Sequence, residues 1–192
     1  VLTPTGTIAA SSGVANAGTL EVQANQTIDS MTGAGSTILT GIPVTLTIGD
    51  ASNTSSTYSG SISGTGSLAK AGNGTLTLTG ANTYGGTTNV VDGTLRVSAA
   101  AALPTGGNVT TSGRGVLDLG GFNASIGNLN SALISLPATG SVFASNGGFI
   151  TNSGTVQKTL TVTPTALSSY SGVIQNNINL IKAGGQTLIL RN

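Results

Sequence analysis

Few side chains of this 192-residue sequence are suited to acid–base or metal chemistry. It contains no cysteine and no histidine, which excludes thiol nucleophiles, disulfides, thiolate metal sites and the commonest general base. Hydrolysis of a glycosidic bond needs two carboxyl groups that face each other at roughly 5 to 10 Å. Five carboxylates are candidates: Glu21, Asp29, Asp50, Asp92 and Asp118.

Asp92 and Asp118 are the two acids whose spacing in the sequence could stack them. Asp92 precedes a turn glycine, whereas Asp118 is the outward residue of a predicted strand, so we expect them on different parts of the fold. We predict that the acids are solvated surface residues. Arg96 and Arg114 lie near Asp118, and surface ion pairing explains this cluster better than the base and calcium ligands of a lyase. The chain is therefore predicted not to be an enzyme.

Glycine-rich and aromatic residues also lack the spacing that ligand sites require. Gly85-Gly86 and Gly120-Gly121 are not followed by aspartate as in calcium-binding nonapeptides. Residues 71–74 precede a predicted strand, not the helix N-terminus that binds phosphate. We expect Lys70 and Lys182 to be solvated corner residues, and we predict no catalytic, cofactor-binding or metal-binding residue. The aromatic residues are too scattered to bind sugar rings and are predicted core or corner plugs: Tyr58, Tyr84, Tyr170, Phe122, Phe143 and Phe149.

The composition points to an extracellular or cell-surface protein. Charged residues make up 6% of the chain and the net charge is +1, which gives no field to attract nucleic acid or acidic lipid. No apolar run approaches the length that spans a bilayer, so we expect no membrane insertion by this segment. The richness in Gly, Ser, Thr and Asn without cysteine fits a protein exported by a bacterium, with Val1 as a processed or excised end.

Apolar residues alternate with Thr or charged residues in short runs bounded by Gly, Asn and Asp, which is the pattern of half-buried β-strands. The only plausible helical turn, residues 98–103, is stopped by Pro104 and is predicted to be a short loop element. The predicted strands are residues 19–22, 45–48, 75–78, 94–97, 116–119, 159–162 and 187–190.

The spacing of these strands predicts a parallel β-helix, also called a β-solenoid. The strand entries at Gly74, Gly93 and Gly115 are 19 and 22 residues apart, too far for tight hairpins and long enough for one coil. About 20 residues per rung gives about nine rungs of about 4.8 Å each. Glycine and asparagine are expected at the corners between faces, where asparagine amides could stack as ladders.

The chain also repeats on a longer scale. Residues 58–80, YSGSISGTGSLAKAGNGTLTLTG, align without a gap with residues 170–192, YSGVIQNNINLIKAGGQTLILRN. The repeat predicts a single continuous β-helix, residues 1–192, made of two degenerate supermodules at about 1–97 and 98–192.

Residues 68–97, LAKAGNGTLTLTGANTYGGTTNVVDGTLRV, resemble the autotransporter-associated β-strand repeat, or passenger-associated transport repeat. Residues 115–129, GVLDLGGFNASIGNL, resemble the segment that often follows it. The resemblance implies a right-handed parallel β-helix in the passenger domain of an autotransporter or large exoprotein of a Gram-negative bacterium. In that family the repeat is associated with secretion and folding of the passenger and forms a stalk.

These observations predict a structural segment for display or adhesion that needs no cofactor and meets a host or matrix surface. Two alternatives are kept. Subunits could stack end to end through open terminal rungs into an extracellular filament, because neither terminus shows a cap. A polysaccharide-active β-helix enzyme is the more distant alternative, and it would need a groove lined by convergent acids.

Overall fold

The computed structural model describes residues 8, 13–41, 43–49, 53–131 and 147–191, in which all regular structure is β-strand. No helix in these ranges is long and apolar enough to cross a bilayer. Along the chain the strands are β1 (Val14–Ala15), β2 (Thr19–Val22), β3 (Gln26–Ile28), β4 (Met31–Thr32), β5 (Ser36–Leu39), β6 (Thr45–Ile48), β7 (Ser56–Tyr58), β8 (Ser61–Gly64), β9 (Ser67–Lys70), β10 (Thr75–Leu78), β11 (Thr88–Val90), β12 (Thr94–Val97), β13 (Val109–Thr111), β14 (Gly113–Asp118), β15 (Ala124–Ile126), β16 (Leu129–Ser131), β17 (Gly147–Thr151), β18 (Lys158–Val162), β19 (Ser168–Tyr170), β20 (Val173–Ile174), β21 (Ile178–Lys182) and β22 (Leu188–Leu190).

Every strand pairing is parallel, and the strands stack into three faces of a β-solenoid. The first face holds β2, β5 and β8, and then β15, β18 and β21. The second face runs from β3 through β6, β9, β11, β13 and β16 to β19 and β22. The third face runs from β1 and β4 through β7, β10, β12, β14 and β17 to β20. The predicted fold class, an all-β parallel solenoid, is confirmed.

The number of turns is about eight, against the prediction of about nine rungs. The third face receives one strand from each turn and shows the reason. Register partners on this face are 19 residues apart from Leu76 to Leu95 and 22 apart from Leu95 to Leu117, but 33 apart from Leu117 to Ile150. Longer connections between faces therefore use up residues that a constant period would place in another rung.

The core is a stack of apolar ladders along the solenoid axis. Leu76, Leu95, Leu117 and Ile150 succeed one another in register on the third face, and each is at most 1% exposed. Burial of each such side chain contributes about 1.5–3 kcal/mol relative to exposure. The threonines that alternate with these residues along β10 and β12 point outward, as the sequence pattern predicts. Four predicted strands match the structure at both ends, and the other three shift by up to three residues.

Asparagine side chains do join neighbouring turns, although not as the predicted ladders of stacked amides. At several corners the Oδ1 atom of an asparagine accepts a hydrogen bond from a backbone amide of the adjacent turn. Asn25 accepts from Thr45 N at 2.8 Å, and Asn108 accepts from Asn128 N at 3.0 Å. Residues 98–103 form turns and bends, which confirms the predicted loop.

Candidate functional site

The Tyr-Ser-Gly sequence that opens the internal repeat is a packing unit. Tyr58 is fully buried, and its hydroxyl donates to the carbonyl of Gly35 at 2.5 Å and bonds Oγ1 of Thr37 at 2.9 Å. Gly60 lies against the same ring, because a Cβ atom there would come within 2.5 Å of the Tyr58 oxygen. A glycine two residues after the tyrosine therefore makes room for the tyrosine itself.

The second copy of the sequence is built in the same way. Tyr170 is 1% exposed, and its hydroxyl donates to the carbonyl of Gly148 at 3.3 Å. Burial raises the pKa of Tyr170 to about 12, although a hydrogen bond with Thr111 opposes the shift. A Cβ atom at Gly172 would come within 2.5 Å of Cζ of Tyr170. The repeat in the sequence therefore reproduces a tyrosine, threonine and glycine cluster in the core.

The remaining aromatic residues divide between core and surface. Tyr84 is 1% exposed and bonds Oγ1 of Thr88 at 2.7 Å, and burial raises its pKa. The prediction of core or corner plugs is confirmed for the three tyrosines, which lie in the core. It is wrong for Phe149, which is 37% exposed at an outward position of β17, whereas Phe122, also 37% exposed, lies in a turn. Phe143 lies outside the described residues.

Lys70, predicted to be a solvated corner residue, is buried with 2% exposure. Its side chain points inward like that of Leu68 in the same strand. The ammonium nitrogen meets three backbone carbonyls at the corner after β9: Ala71 at 2.5 Å, Gly72 at 2.8 Å and Asp92 of the next turn at 3.4 Å. Burial lowers the pKa of Lys70 to about 8, and the negative charge of Asp92 opposes this shift.

Lys182, the equivalent of Lys70 in the second copy, is exposed as predicted. Its ammonium nitrogen donates to the carbonyl of Gly184 at 2.5 Å, two residues further on, as that of Lys70 does to Gly72. Both glycines are in the left-handed conformation, with φ of 63° at Gly72 and 71° at Gly184. The two copies thus share a lysine that curls onto a glycine corner, but only the first copy buries it.

The arginines form ion pairs across adjacent turns, as predicted, but with one different partner. Arg96 lies in register with Asp118, and their Nε and Oδ2 atoms are 3.6 Å apart. Arg114 pairs with Asp92 at 2.8 Å, not with Asp118. Burial raises the pKa of Asp92, but hydrogen bonds from the Gly93 amide and the Arg114 guanidinium outweigh this and hold it below its ordinary value.

The prediction that the acids are solvated is wrong for two of them. Asp118 is 5% exposed because Ser153 of the next turn covers it, donating from its amide at 2.8 Å and from its hydroxyl at 2.7 Å. Asp29 is 8% exposed. Glu21 accepts hydrogen bonds from Gln23 and Thr40, and these lower its pKa. Asp50 lies outside the described residues.

Asp92, Asp118 and Glu21 each contact a residue of a neighbouring turn. Asp92 lies at the corner between β11 and β12, and Asp118 ends β14, so they occupy different parts of the coil, as predicted. Within the described ranges no three His, Cys, Asp or Glu residues come together as they would to hold a metal ion. A groove of about 460 Å³ on the first face, between residues 81–85 and 101–107, is lined by uncharged residues.

Comparison with known proteins identifies the stretch that contains the buried lysine. A family model described as Passenger-associated-transport-repeat matches residues 68–97, from β9 to the end of β12. These residues are a passenger-associated transport repeat. The recognition made from the residue pattern is thereby confirmed, and the repeat contributes Lys70, the ion-paired Asp92 and Arg96.

A curated relative extends the similarity beyond the transport repeat. The chain is 47% identical over 70 residues to "Adhesin BmaC autotransporter" of Brucella suis biovar 1 (strain 1330). The match covers 33% of this chain and 2% of the length of that adhesin. No solved structure matches the chain. Neither the fold nor these similarities support the head-to-tail filament, and end-to-end association stays a prediction.

Proposed function

We propose that this chain is a structural segment of a bacterial surface protein, a stretch of the stalk of an autotransporter passenger that serves display and adhesion. The observation that carries this proposal is the transport repeat at residues 68–97, which is set in a parallel solenoid whose third face contains a six-stranded sheet. The similarity to an autotransporter adhesin supports the same function. The segment lies outside the outer membrane of a Gram-negative bacterium and has no enzymatic activity of its own.

The geometry suits a stalk because its contacts run from turn to turn. Backbone hydrogen bonds, apolar ladders and the ion pairs of Arg96 and Arg114 all join neighbouring turns. At about 4.8 Å per turn, about eight turns give a rod on the order of 40 Å long. A stack of this kind holds an attached domain at a fixed distance from the membrane, and its sparsely charged faces fit contact with host or matrix surfaces.

The proposal is tested in source cells that produce the full precursor. Removal of residues 68–97 should lower the amount of passenger detected by antibody on intact cells while leaving the total amount in lysed cells measurable. Beads coated with the segment should bind host cells or matrix if the segment itself is adhesive. If the precursor that retains residues 68–97 also stays inside the cells, surface display is contradicted. Display without bead binding would restrict the segment to the role of a stalk.

A further inference from the structure

The strands of this solenoid leave the stacking register poorly specified. β6, β10 and β12 read TLTI, TLTL and TLRV, so each alternates an outward residue with an inward apolar one. A slip of one turn by two residues would keep every side chain on its own face. The apolar ladders alone therefore do little to distinguish the observed stacking from a slipped one.

Lys70 places a charged group in one of these inward positions. It takes an inward position in the ladder that continues from Ile48 before it to Val90 after it. Of the six lysines and arginines of the chain it is the only buried one. An ammonium group in that ladder needs hydrogen-bond acceptors, because burial of an unpaired charge is very costly.

One of the three acceptors exists only in the observed register, whereas the carbonyls of Ala71 and Gly72 belong to the corner of Lys70 itself. The carbonyl of Asp92, 3.4 Å from the ammonium nitrogen, belongs to the next turn and would move about 6–7 Å along the strand in a two-residue slip. Gly49 of the preceding turn lies against this corner, because a Cβ atom there would overlap the carbonyl oxygen of Ala71 and lie 3.3 Å from the ammonium nitrogen. The same slip would bring Thr47 in place of this glycine.

The cost of this arrangement argues against a role in stability. Burial lowers the pKa of Lys70, so the folded chain holds the charged form less well than water does. The charged groups at the corner are Asp92 and Arg114, and these two pair with each other at 2.8 Å. A single buried polar residue that fixes register at the expense of stability is known from coiled coils.

We propose that Lys70 sets the register in which the turns of the transport repeat stack, and that it does so at a cost in stability. The proposal goes beyond surface display and does not depend on it. Its matched control is Lys182, which makes the same lysine-to-glycine contact at an exposed corner.

Pairs of cysteines measure the register directly because the chain contains none of its own. Ala69 and Asn89 are register partners, so the pair Ala69→Cys with Asn89→Cys should form a disulfide. Ala69→Cys with Thr87→Cys reports a slip by two residues, since these positions lie about 8 Å apart in the observed register and cannot be bridged. Each pair is placed in the original chain, in Lys70→Met and in Lys182→Met, and the oxidised fraction is measured by mass spectrometry.

We expect the oxidised fraction of the slip pair to be about tenfold higher in Lys70→Met than in the other two backgrounds. This ratio lies within the range of couplings between contacting residues. Lys70→Met should be at least as stable as the original chain in urea. An unchanged slip pair in Lys70→Met would overturn the proposal, and so would equal slippage in Lys182→Met. Loss of the strand signal in Lys70→Met would overturn it as well, because the proposal requires that variant to fold.

Discussion

Raising the pH above neutrality should stabilise this protein because of the burial of Lys70. The pKa of Lys70 is lowered from 10.5 to about 8 in the folded chain, whereas the solvated ammonium of the unfolded chain keeps the ordinary value. Between these two values the unfolded chain binds more protons than the folded chain, so the free energy of unfolding rises with pH. Below pH 8 both states are protonated and the full cost of burying the charge is present.

The expected size of the effect follows from the two pKa values. At about 1.4 kcal/mol for each tenfold change in proton binding, the gain from pH 7 to 9.5 is about 2 kcal/mol. The measurement is urea unfolding followed by circular dichroism at several values between these limits. The measurements stop below pH 10. Burial raises the pKa of Tyr84 and Tyr170 in the folded chain, so at higher pH these tyrosines ionise first in the unfolded chain, which lowers the free energy of unfolding.

Two variants isolate the contribution of Lys70. Lys70→Met should abolish the rise in unfolding free energy between pH 7 and 9.5, whereas Lys182→Met should keep it, since Lys182 is exposed. A flat profile in the original chain, or a rise that survives in Lys70→Met, would refute the reasoning that burial dominates at this corner.

Three further outcomes follow from the same contacts. Gly60→Ala and Gly172→Ala should each lower the free energy of unfolding by about 1–3 kcal/mol in urea, because the added methyl overlaps a buried tyrosine and a backbone carbonyl of the neighbouring turn. Leu95→Ala should cost about 2–5 kcal/mol in the same assay, since Leu95 is fully buried in the third-face ladder. Asp92→Asn should reduce the loss of unfolding free energy in acid. The lowered pKa of Asp92 stabilises the fold at pH values above the pKa of the unfolded chain, and this stabilisation is lost as the pH falls through the pKa of the folded chain.

Local patterns in the sequence suffice for the strands and for the solenoid class. The alternation of Thr with Leu in residues 75–78 and 94–97 depends only on neighbouring residues, and both strands begin and end where predicted. The number of turns is not predictable from the sequence, because the segment between Leu117 and Ile150, which are 33 positions apart, carries no periodic pattern that reveals it as one turn.

The corner site could not be derived from the sequence because its partners are distant along the chain. The buried ammonium of Lys70 meets the carbonyl of Asp92, 22 residues away, besides those of Ala71 and Gly72 in its own corner. Asp118 is likewise buried by Ser153, 35 residues away. From the sequence alone a charged residue at a corner is predicted to be solvated, because the neighbouring turn that buries it is not yet placed. The pairing of Arg114 with Asp92 depends on the same stacking.

The central claim, that this solenoid is displayed outside the cell, is tested most directly by labelling single cysteines in the full precursor on intact cells. Thr57→Cys lies on the exposed surface of β7, and Leu76→Cys, 1% exposed as leucine, serves as the buried control. A maleimide that does not cross membranes should label Thr57→Cys on intact cells and Leu76→Cys only after unfolding. Labelling of Thr57→Cys only after the cells are lysed would contradict surface display.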